Sequence, residues 1–192
     1  MGNTVGSLTQ EQRSIIIGSL LGDGYLRIVP GRKNAFLEIN HSVHEKDYVD
    51  WKYLKLRNLV KSSPKKRKGK ERRVAYRFFT QQHLELTKLY QRFYQNKEKI
   101  LLNDIKLDPL MIAVWFMDDG SKSYKTYYLN TQRFDYLSQK KLIKMLKDQW
   151  NIESSLNRDK EYYRMRIKQK SVSKFREIIS PYVISAMKYK LG

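Results

Sequence analysis

Residues 16–24 read Ile-Ile-Gly-Ser-Leu-Leu-Gly-Asp-Gly, an apolar run that ends in Asp-Gly. Residues 112–120 read Ile-Ala-Val-Trp-Phe-Met-Asp-Asp-Gly and end in the same pair, 96 residues further along the chain. Each run follows a helix-start signal, since Thr9 opens a capping-box pattern and Asp108 precedes a proline. The sequence therefore predicts two apolar helices that each end at an Asp-Gly pair.

The segments that follow these two helices repeat one order of elements, which indicates an internal duplication. Periodicity and turn residues in the first half predict a helix to Gly24, then strands at 25–29 and 35–41 and a helix through 49–60. After these come a predicted basic loop at 61–73, a strand at 74–80 and a helix through 86–93. The second half is predicted as a helix at 109–119, a strand at 124–130, a helix through 142–150, strands at 152–157 and 162–169, and a helix through 172–179. The sequence thus predicts an α+β fold of two halves, residues 1–96 and 105–192, joined by a linker at 97–104.

The charge of the chain favours a polyanionic partner. Its 39 Lys and Arg residues against 19 Asp and Glu residues give a net charge of +20. Both halves share this excess, with 19 basic and 8 acidic residues in 1–96 and 20 and 11 in 97–192. Nucleic acid is the expected partner, and no apolar run is long enough to predict a membrane partner. The absence of cysteine excludes disulfides, and three histidines, at 41, 44 and 83, do not form a convincing zinc pattern.

The segment 162–169 is the clearest candidate for a DNA-facing strand. Arg164, Arg166 and Lys168 alternate with Tyr163, Met165 and Ile167, which predicts one basic and one apolar face. Such a strand can equally be an ordinary solvent-facing strand. The high net charge favours the interpretation that this face reads a nucleic-acid groove.

The Asp-Gly pairs have two interpretations. A carboxylate at a helix C-terminus lies against the negative end of the helix dipole, and a bound cation would remove that penalty. Alternatively, each pair is a helix cap in which glycine supplies a left-handed conformation. Because the pair recurs at the ends of both apolar helices, we favour the cation-binding interpretation.

The paired motifs, Leu-Leu-Gly-Asp-Gly at 20–24 and Trp-Phe-Met-Asp-Asp-Gly at 115–120, resemble those of the single-chain LAGLIDADG homing endonucleases. The resemblance implies two pseudo-symmetric α-β-β-α-β-β-α halves whose antiparallel sheets form a DNA-binding saddle. It also implies that Asp23 and Asp119 bind Mg²⁺, with Gly22 and Asp118 as secondary candidates for the metal site. The expected activity is Mg²⁺-dependent hydrolysis of both strands at a long DNA site, as in intron homing.

Further site residues follow from the same resemblance. Asn40 and Asn130 fit the polar side chain that the family places on a strand after each motif. Lys99 and Lys190 fit the lysine near the scissile phosphates, because both stand in a Lys-x-Lys-apolar pattern. The expected DNA contacts are the basic residues of the predicted strands and turns, namely Arg27, Arg32, Lys33, Lys65, Lys66, Arg67, Lys68, Arg72, Arg77, Lys122, Lys125, Arg164, Arg166 and Lys168.

Two other functions remain open at the level of sequence. The first is a nucleic-acid-binding protein of the same fold that no longer cleaves, such as an intron maturase with its own intron RNA as partner. The second is a different nuclease class, since Asp104-Ile105-Lys106 is an Asp-x-Lys fragment of the restriction-enzyme kind. We expect a monomer, because the duplication supplies in one chain what a two-fold dimer would provide. With no secretion signal in the sequence, we expect an intracellular protein acting in bacterial or phage cytoplasm or in an organelle.

Overall fold

A computed structural model of the chain describes residues 6–69, 73–101 and 105–192, so Arg72 and Asp104 lie outside the described residues. The chain divides into two compact units, residues 1–91 and 92–192. The elements that start in the first unit are the helices α1 (Gln10–Leu21), α2 (Lys46–Lys55) and α3 (Leu84–Phe93) and the strands β1 (Tyr25–Arg27), β2 (Phe36–Ser42), β3 (Lys65–Lys68) and β4 (Val74–Phe79).

The second unit begins with a short ribbon of β5 (Tyr94–Gln95) and β6 (Glu98–Lys99). It continues with α4 (Pro109–Asp119), β7 (Gly120–Ser123), β8 (Thr126–Leu129), α5 (Tyr136–Trp150), β9 (Ser154–Asp159), β10 (Tyr162–Ile167) and α6 (Val172–Ile179), and a 3-10 helix at Ser185–Lys190. The order α-β-β-α-β-β-α therefore occurs twice among the described residues. The predicted α+β class with a repeated order of elements is confirmed.

Both motif helices start where the sequence predicts. The Thr9 hydroxyl accepts a hydrogen bond from the Gln12 backbone, and the Gln12 side chain accepts one from the Thr9 backbone, which completes the capping box of α1. The Gln12 amide also donates to Lys55 O at 3.3 Å, so the same residue ties α1 to α2. In α4, Asp108 is the N-cap and accepts from the Met111 backbone at 2.8 Å. These side chains satisfy backbone donors that the first turn of a helix leaves unpaired.

Two local predictions are wrong. The predicted loop at 61–73 contains the strand β3, which pairs with β4 from Lys65↔Arg77 to Lys68↔Val74. Four successive basic side chains carry no alternation, so backbone pairing with β4, rather than side-chain pattern, makes this edge strand. The predicted strand at 124–130 begins too early, because Tyr124, with φ of 53°, and Lys125 form the turn between β7 and β8.

Each unit has a four-stranded antiparallel sheet with the two strands of its first hairpin on one side. The strand orders are β1-β2-β4-β3 and β7-β8-β10-β9, which are equivalent under the repeat. Side chains alternate along each strand, so residues paired across the ladder lie on one face. In β2 the buried face carries Leu37, Ile39 and His41, and in β10 it carries Met165 and Ile167.

We call the opposite, more exposed faces the open faces. The first open face carries Tyr25, Arg27, Phe36, Glu38, Asn40, Ala75, Arg77, Phe79, Lys65 and Arg67. The second open face carries Ser121, Ser123, Thr126, Tyr128, Arg164, Arg166, Ser155, Asn157, Tyr162 and Asp159. The predicted alternation of 162–169 is confirmed from Met165 to Ile167, because Met165 and Ile167 are fully buried while Arg166 is exposed. It is wrong at the two ends, because Tyr163 is exposed and the strand stops at Ile167, before Lys168.

Helix α4 is buried on all sides, with every residue from Met111 to Met117 at most 2% exposed. A helix that is apolar around its whole circumference belongs in an interior. Within its unit, the Phe116 ring packs edge-on against Tyr127 and Phe175, with centroid distances of 5.4 and 5.7 Å. Burial of such a ring contributes about 1.5–3 kcal/mol, so this packing anchors the motif helix to its sheet and to α6. Among the described residues, no helix is both long enough and apolar enough to cross a bilayer.

Candidate catalytic centre and nucleic-acid interface

The end of α1 brings the backbone back onto the helix immediately before and after Asp23. The Gly22 N–H donates to Gly18 O at 3.2 Å, and the Gly24 N–H donates to Ser19 O at 2.7 Å. A Cβ on Gly24 would lie 2.8 Å from both the Cβ and the carbonyl oxygen of Ser19. Only glycine allows that approach without a shift of the backbone. The tight return holds the Asp23 side chain, which is 32% exposed, at the helix end.

Asp23 shares an open cavity of about 630 Å³ with polar residues of β2 and the turn after it. Asn40, predicted as a site residue, lines this cavity together with His41 and Glu45. The His41 Nδ1 lies 3.9 Å from an Asp23 carboxylate oxygen and 3.2 Å from a Glu45 carboxylate oxygen. The structure therefore brings Asp23 and Asn40 together, and adds a histidine and a glutamate that the sequence interpretation did not select.

The end of α4 also returns the backbone onto the helix next to Asp119, although Asp119 is the last residue of α4 whereas Asp23 follows the C-cap residue Gly22. The Gly120 N–H donates to Phe116 O, and a Cβ on Gly120 would lie 2.2 Å from the Phe116 ring and 2.3 Å from the Phe116 carbonyl oxygen. The Asn130 N–H donates to Asp119 O at 3.0 Å, which brings the second predicted Asp-Asn pair together. Asp118, the secondary candidate for the metal site, is buried, with 8% of its surface exposed.

The left-handed cap that we considered for these pairs is wrong. Gly120 has φ of −83° and ψ of 150°, and the described glycines with positive φ are Gly31 and Gly192. Close approach of the chain to the preceding turn explains both Asp-Gly pairs instead. Glycine is required here by the space available and not by the backbone angle.

Lys190 lies at the end of α4. Its ammonium donates to Met117 O at 2.5 Å and to Asp118 O at 3.1 Å. A cation at this position stabilises the negative end of the helix dipole and satisfies carbonyls that have no partner within the helix. Lys190, predicted to lie near the scissile phosphates, thus lies beside the end of α4 in the second unit. Lys99 occupies a different setting, in the β5–β6 ribbon, where it pairs in register with Tyr94.

The oxygen donors at both helix ends suit a hard divalent cation. Among the described residues, no three His, Cys, Asp or Glu side chains are grouped closely enough to form a complete metal site. Mg²⁺ is commonly held by one or two carboxylates, with water and substrate phosphate oxygens filling its other positions. Asp23 and Asp119 therefore fit Mg²⁺ as partial donor sets, and Gly22 contributes only backbone at the same position.

The first open face carries a cluster of arginines around one acid. Arg27 Nε lies 3.4 Å from Glu38 Oε2, and a terminal nitrogen of Arg77 lies 3.6 Å from Glu38 Oε1. The same guanidinium groups lie over the rings of Tyr25 and Phe79, at 5.5 and 5.0 Å from the centroids. A groove of about 1210 Å³ runs over this face and is lined by Arg27, Arg32, Lys65, Lys66, Arg67 and Arg77, among others.

The second open face holds its arginines differently. The guanidinium of Arg164 lies 4.2 Å from the centroid of the Tyr128 ring, and the Tyr128 hydroxyl accepts a hydrogen bond from Asn157 at 3.2 Å. Arg166 lies in the same register row as Tyr128 and is exposed. Arginine stacking on tyrosine restrains the planar guanidinium without a carboxylate.

Several predicted DNA contacts lie outside the register rows of the open faces, although Arg32 and Lys66 still line the groove over the first of them. By register, Lys66 and Lys68 lie on the buried-face side of edge strand β3. Lys122 pairs with Tyr127 and so lies on the buried-face side of β7. Lys125 lies in the β7–β8 turn, and Arg32 and Lys33 lie in the turn between β1 and β2. The remaining predicted contact, Lys168, follows β10 and lies 3.5 Å from a Glu153 carboxylate oxygen.

Comparison with known proteins places this architecture in a family. The profile of the LAGLIDADG DNA endonuclease family matches residues 13–175. The chain belongs to this family. The resemblance that the paired Asp-Gly motifs indicated is therefore confirmed.

Relatives of this LAGLIDADG chain include proteins named as maturases and as endonucleases. The cytochrome b mRNA maturases bI2 of Saccharomyces cerevisiae and Debaryomyces hansenii are each 30% identical over 100% and 96% of this chain. The chain spans 50% of the first and 75% of the second, so it corresponds to part of those longer proteins. The DNA endonuclease I-ChuI of Chlamydomonas applanata is 28% identical over 97% of this chain and 96% of its own length.

A solved structure agrees with the fold in detail. The homing endonuclease I-WcaI bound to its DNA recognition sequence superimposes with a TM-score of 0.90 and 29% identity, over 97% of this chain and 88% of that chain. The LAGLIDADG meganuclease I-AabMI bound to uncleaved DNA shares the fold at 15% identity, with a TM-score of 0.53. Antiparallel sheets and the repeated motif helices are thus common to the family and to this chain.

Proposed function

We propose that this chain is a site-specific endonuclease that cuts both strands of a long DNA target with Mg²⁺, as a monomer, and thereby supports intron homing. The observation that carries the proposal is the twofold occurrence of an Asp-Gly helix end next to a sheet with a basic open face. A family of DNA endonucleases and a structural neighbour bound to its DNA recognition sequence support the same activity.

The residues divide the work by chemistry. Asp23 and Asp119 would each contribute a carboxylate to binding of a hard cation, and Asn40 and Asn130 supply a polar group beside each acid. When bound, Mg²⁺ activates water and stabilises the attacking and leaving oxygens of a phosphodiester. Lys99 and Lys190 neutralise charge that develops on the phosphate, and the arginines of the open faces hold the duplex.

The test uses supercoiled plasmid that carries a candidate intron-insertion sequence, incubated with and without Mg²⁺. Wild-type protein should give linear product only with Mg²⁺. The double variant that combines Asp23→Asn with Asp119→Asn should bind the same plasmid without cutting it. Binding by the wild type without linear product would refute the endonuclease proposal.

A second function is favoured by a specific observation. Two relatives at 30% identity are named mRNA maturases. We therefore propose assistance of intron RNA splicing as the alternative, with the basic surface binding RNA. Its test is splicing of the intron RNA in vitro with wild-type protein and with the double variant, since a maturase role would not require the two acids.

A further inference from the structure

Glu38 is an unexpected residue on a surface proposed to face DNA. It lies in the middle of β2, in one register row with Tyr25 and Phe79, and is the single acidic residue in the described strands β1 to β4. Although it belongs to the open face, it is only 8% exposed. Its neighbours on that face include the two arginines and two aromatic rings described above.

An acid in this position opposes binding of a polyanion. Each carboxylate near the phosphates reduces the favourable electrostatic free energy of association. Glu38 also loses hydration through its burial, which costs free energy unless its charge is paired. Among the described residues, the contacts of Glu38 with Arg27 and Arg77 offset both costs.

Those contacts leave each guanidinium partly available. Arg27 contacts Glu38 through Nε at 3.4 Å, and its side chain is 57% exposed. Arg77 uses one terminal nitrogen, and its side chain is 22% exposed. The ring and the carboxylate near each guanidinium together restrain its position. A fixed guanidinium fork matches the paired acceptors of guanine in the major groove, whereas a mobile one binds any phosphate.

We propose that Glu38 is a positioning residue for sequence discrimination, which holds Arg27 and Arg77 for contact with base edges. This inference rests on the proposed function, because it takes the DNA duplex to lie on the first open face. Without the carboxylate, both arginines gain freedom to bind phosphates. Binding to any duplex then strengthens while the preference for the correct sequence declines.

The experiment measures affinity for two duplexes in EDTA, so that no cleavage occurs. One duplex is selected by the wild-type protein from a pool of random-sequence duplexes, and the other is a scrambled sequence of equal composition. The discrimination ratio is the Kd for the scrambled duplex divided by the Kd for the selected duplex. Glu38→Gln is compared with Glu177→Gln, which makes the same change of charge at an exposed position of α6. Both substitutions are repeated in an Arg27→Gln, Arg77→Gln background.

Glu38→Gln should lower the discrimination ratio by about fivefold or more, since each well-placed bidentate contact contributes at least that much. Glu177→Gln should leave the ratio unchanged. In the background without the arginines, Glu38→Gln should change the ratio by about twofold or less, because the pair it positions is gone.

Three results would overturn the inference. Equal effects of Glu38→Gln and Glu177→Gln would reduce Glu38 to a contribution to net charge. An undiminished effect in the arginine-free background would assign it a role that does not act through Arg27 and Arg77. If a thermal melt shows that Glu38→Gln is unfolded, Glu38→Asp takes its place, since it withdraws the carboxylate by one methylene. An unchanged discrimination ratio in Glu38→Asp would then refute the inference. Wild-type protein that binds both duplexes equally would refute the proposed function itself.

Discussion

The ends of α1 and α4 carry the same acid in different surroundings. Near Asp23, the His41 Nδ1 lies close to the carboxylates of both Asp23 and Glu45. At the other helix end, the carbonyls before Asp119 accept hydrogen bonds from the ammonium of Lys190. Both ends need glycine for the same steric reason. The repeat has therefore retained the acid and the tight return of the chain, while the electrostatic neighbours differ. A feature retained in both copies is expected to serve a function they share, and a feature present in one copy is expected to tune that copy.

The largest expected effect tests the shared acids. Asp23→Asn and Asp119→Asn should each slow cleavage of a target plasmid in Mg²⁺ by about three orders of magnitude or more, since loss of metal binding removes several kcal/mol of transition-state stabilisation. Binding should persist, because the basic surface supplies most of its free energy. Gel-shift and plasmid-cleavage assays measure the two quantities separately.

Asp108→Asn is the matched control for this pair. It makes the same chemical change at the opposite end of α4, where asparagine caps a helix as well as aspartate does. Cleavage by Asp108→Asn should stay near the wild-type rate. Retained cleavage in Asp23→Asn together with lost cleavage in Asp119→Asn would break the equivalence of the two helix ends.

The next effect separates the two lysines. Lys190→Met and Lys99→Met should each slow cleavage by about a hundredfold, as expected for loss of one group that stabilises developing charge. Only Lys190→Met should also lower the free energy of unfolding by about 1–2 kcal/mol, because it removes a charged donor from the α4 carbonyls. Lys99 lies in a two-stranded ribbon and not at a helix end, so its loss should cost about 0.5 kcal/mol or less.

Urea unfolding and single-turnover cleavage distinguish the possible roles of Lys190. A stability loss with an unchanged cleavage rate would make Lys190 a helix cap alone. Slower cleavage with equal weakening of DNA binding would make it an ordinary backbone contact.

These contrasts also show which features a sequence can predict. The starts of α1 and α4 were predictable because their caps, Thr9 and Asp108, act within three residues of the groups they satisfy. The position of an acid at the end of each helix was predictable because the motif repeats. The strand β3 was not, since its four basic side chains have no alternation and backbone pairing with β4 holds it in place.

Contacts between distant residues were the least predictable. Lys190 reaches Met117 O across 73 positions, and no local pattern reports that approach. Glu38 did carry a signal, since it alternates with the buried Leu37 and Ile39 and so belongs to a polar strand face. That signal gives its face but not its two arginine partners, which come from β1 and β4.

A smaller effect tests the glycines that both helix ends share. Gly120→Ala and Gly24→Ala should lower the free energy of unfolding by about 1–3 kcal/mol, the usual cost of overpacking. Gly120→Ala should cost more, because its Cβ would lie 2.2 Å from Phe116 whereas that of Gly24 would lie 2.8 Å from Ser19. Gly6→Ala is the control, since no heavy atom lies within 4 Å of its Cβ. Urea unfolding of the three variants checks this order, and a neutral Gly120→Ala would contradict the steric explanation of the Asp-Gly pairs.

The smallest effect concerns an electrostatic cluster of the second unit. Hydrogen bonds from Lys170 and Lys147 lower the pKa of Glu153 from 4.5 to about 2. Lys46 of the first unit shows the opposite shift, because a hydrogen bond to Asp50 raises the pKa of its ammonium. A raised lysine pKa contributes stability that is lost on the alkaline side, whereas a lowered glutamate pKa contributes stability that is lost on the acid side.

For Glu153 the sign gives a defined window of pH. Above 4.5 the carboxylate is charged in the folded and the unfolded chain, so its full contribution is present. As pH falls from 4.5 towards about 2, the unfolded chain binds the proton more readily than the folded one, and the contribution disappears. Glu153→Gln should therefore melt below the wild type near neutral pH and converge with it across this window. The difference should be small, since solvent and salt screen an exposed cluster. Thermal melts of both proteins, with Glu177→Gln as a control for net charge, measure the convergence, and a difference that stays constant down to pH of about 2 would show that the lysines do not hold the Glu153 carboxylate.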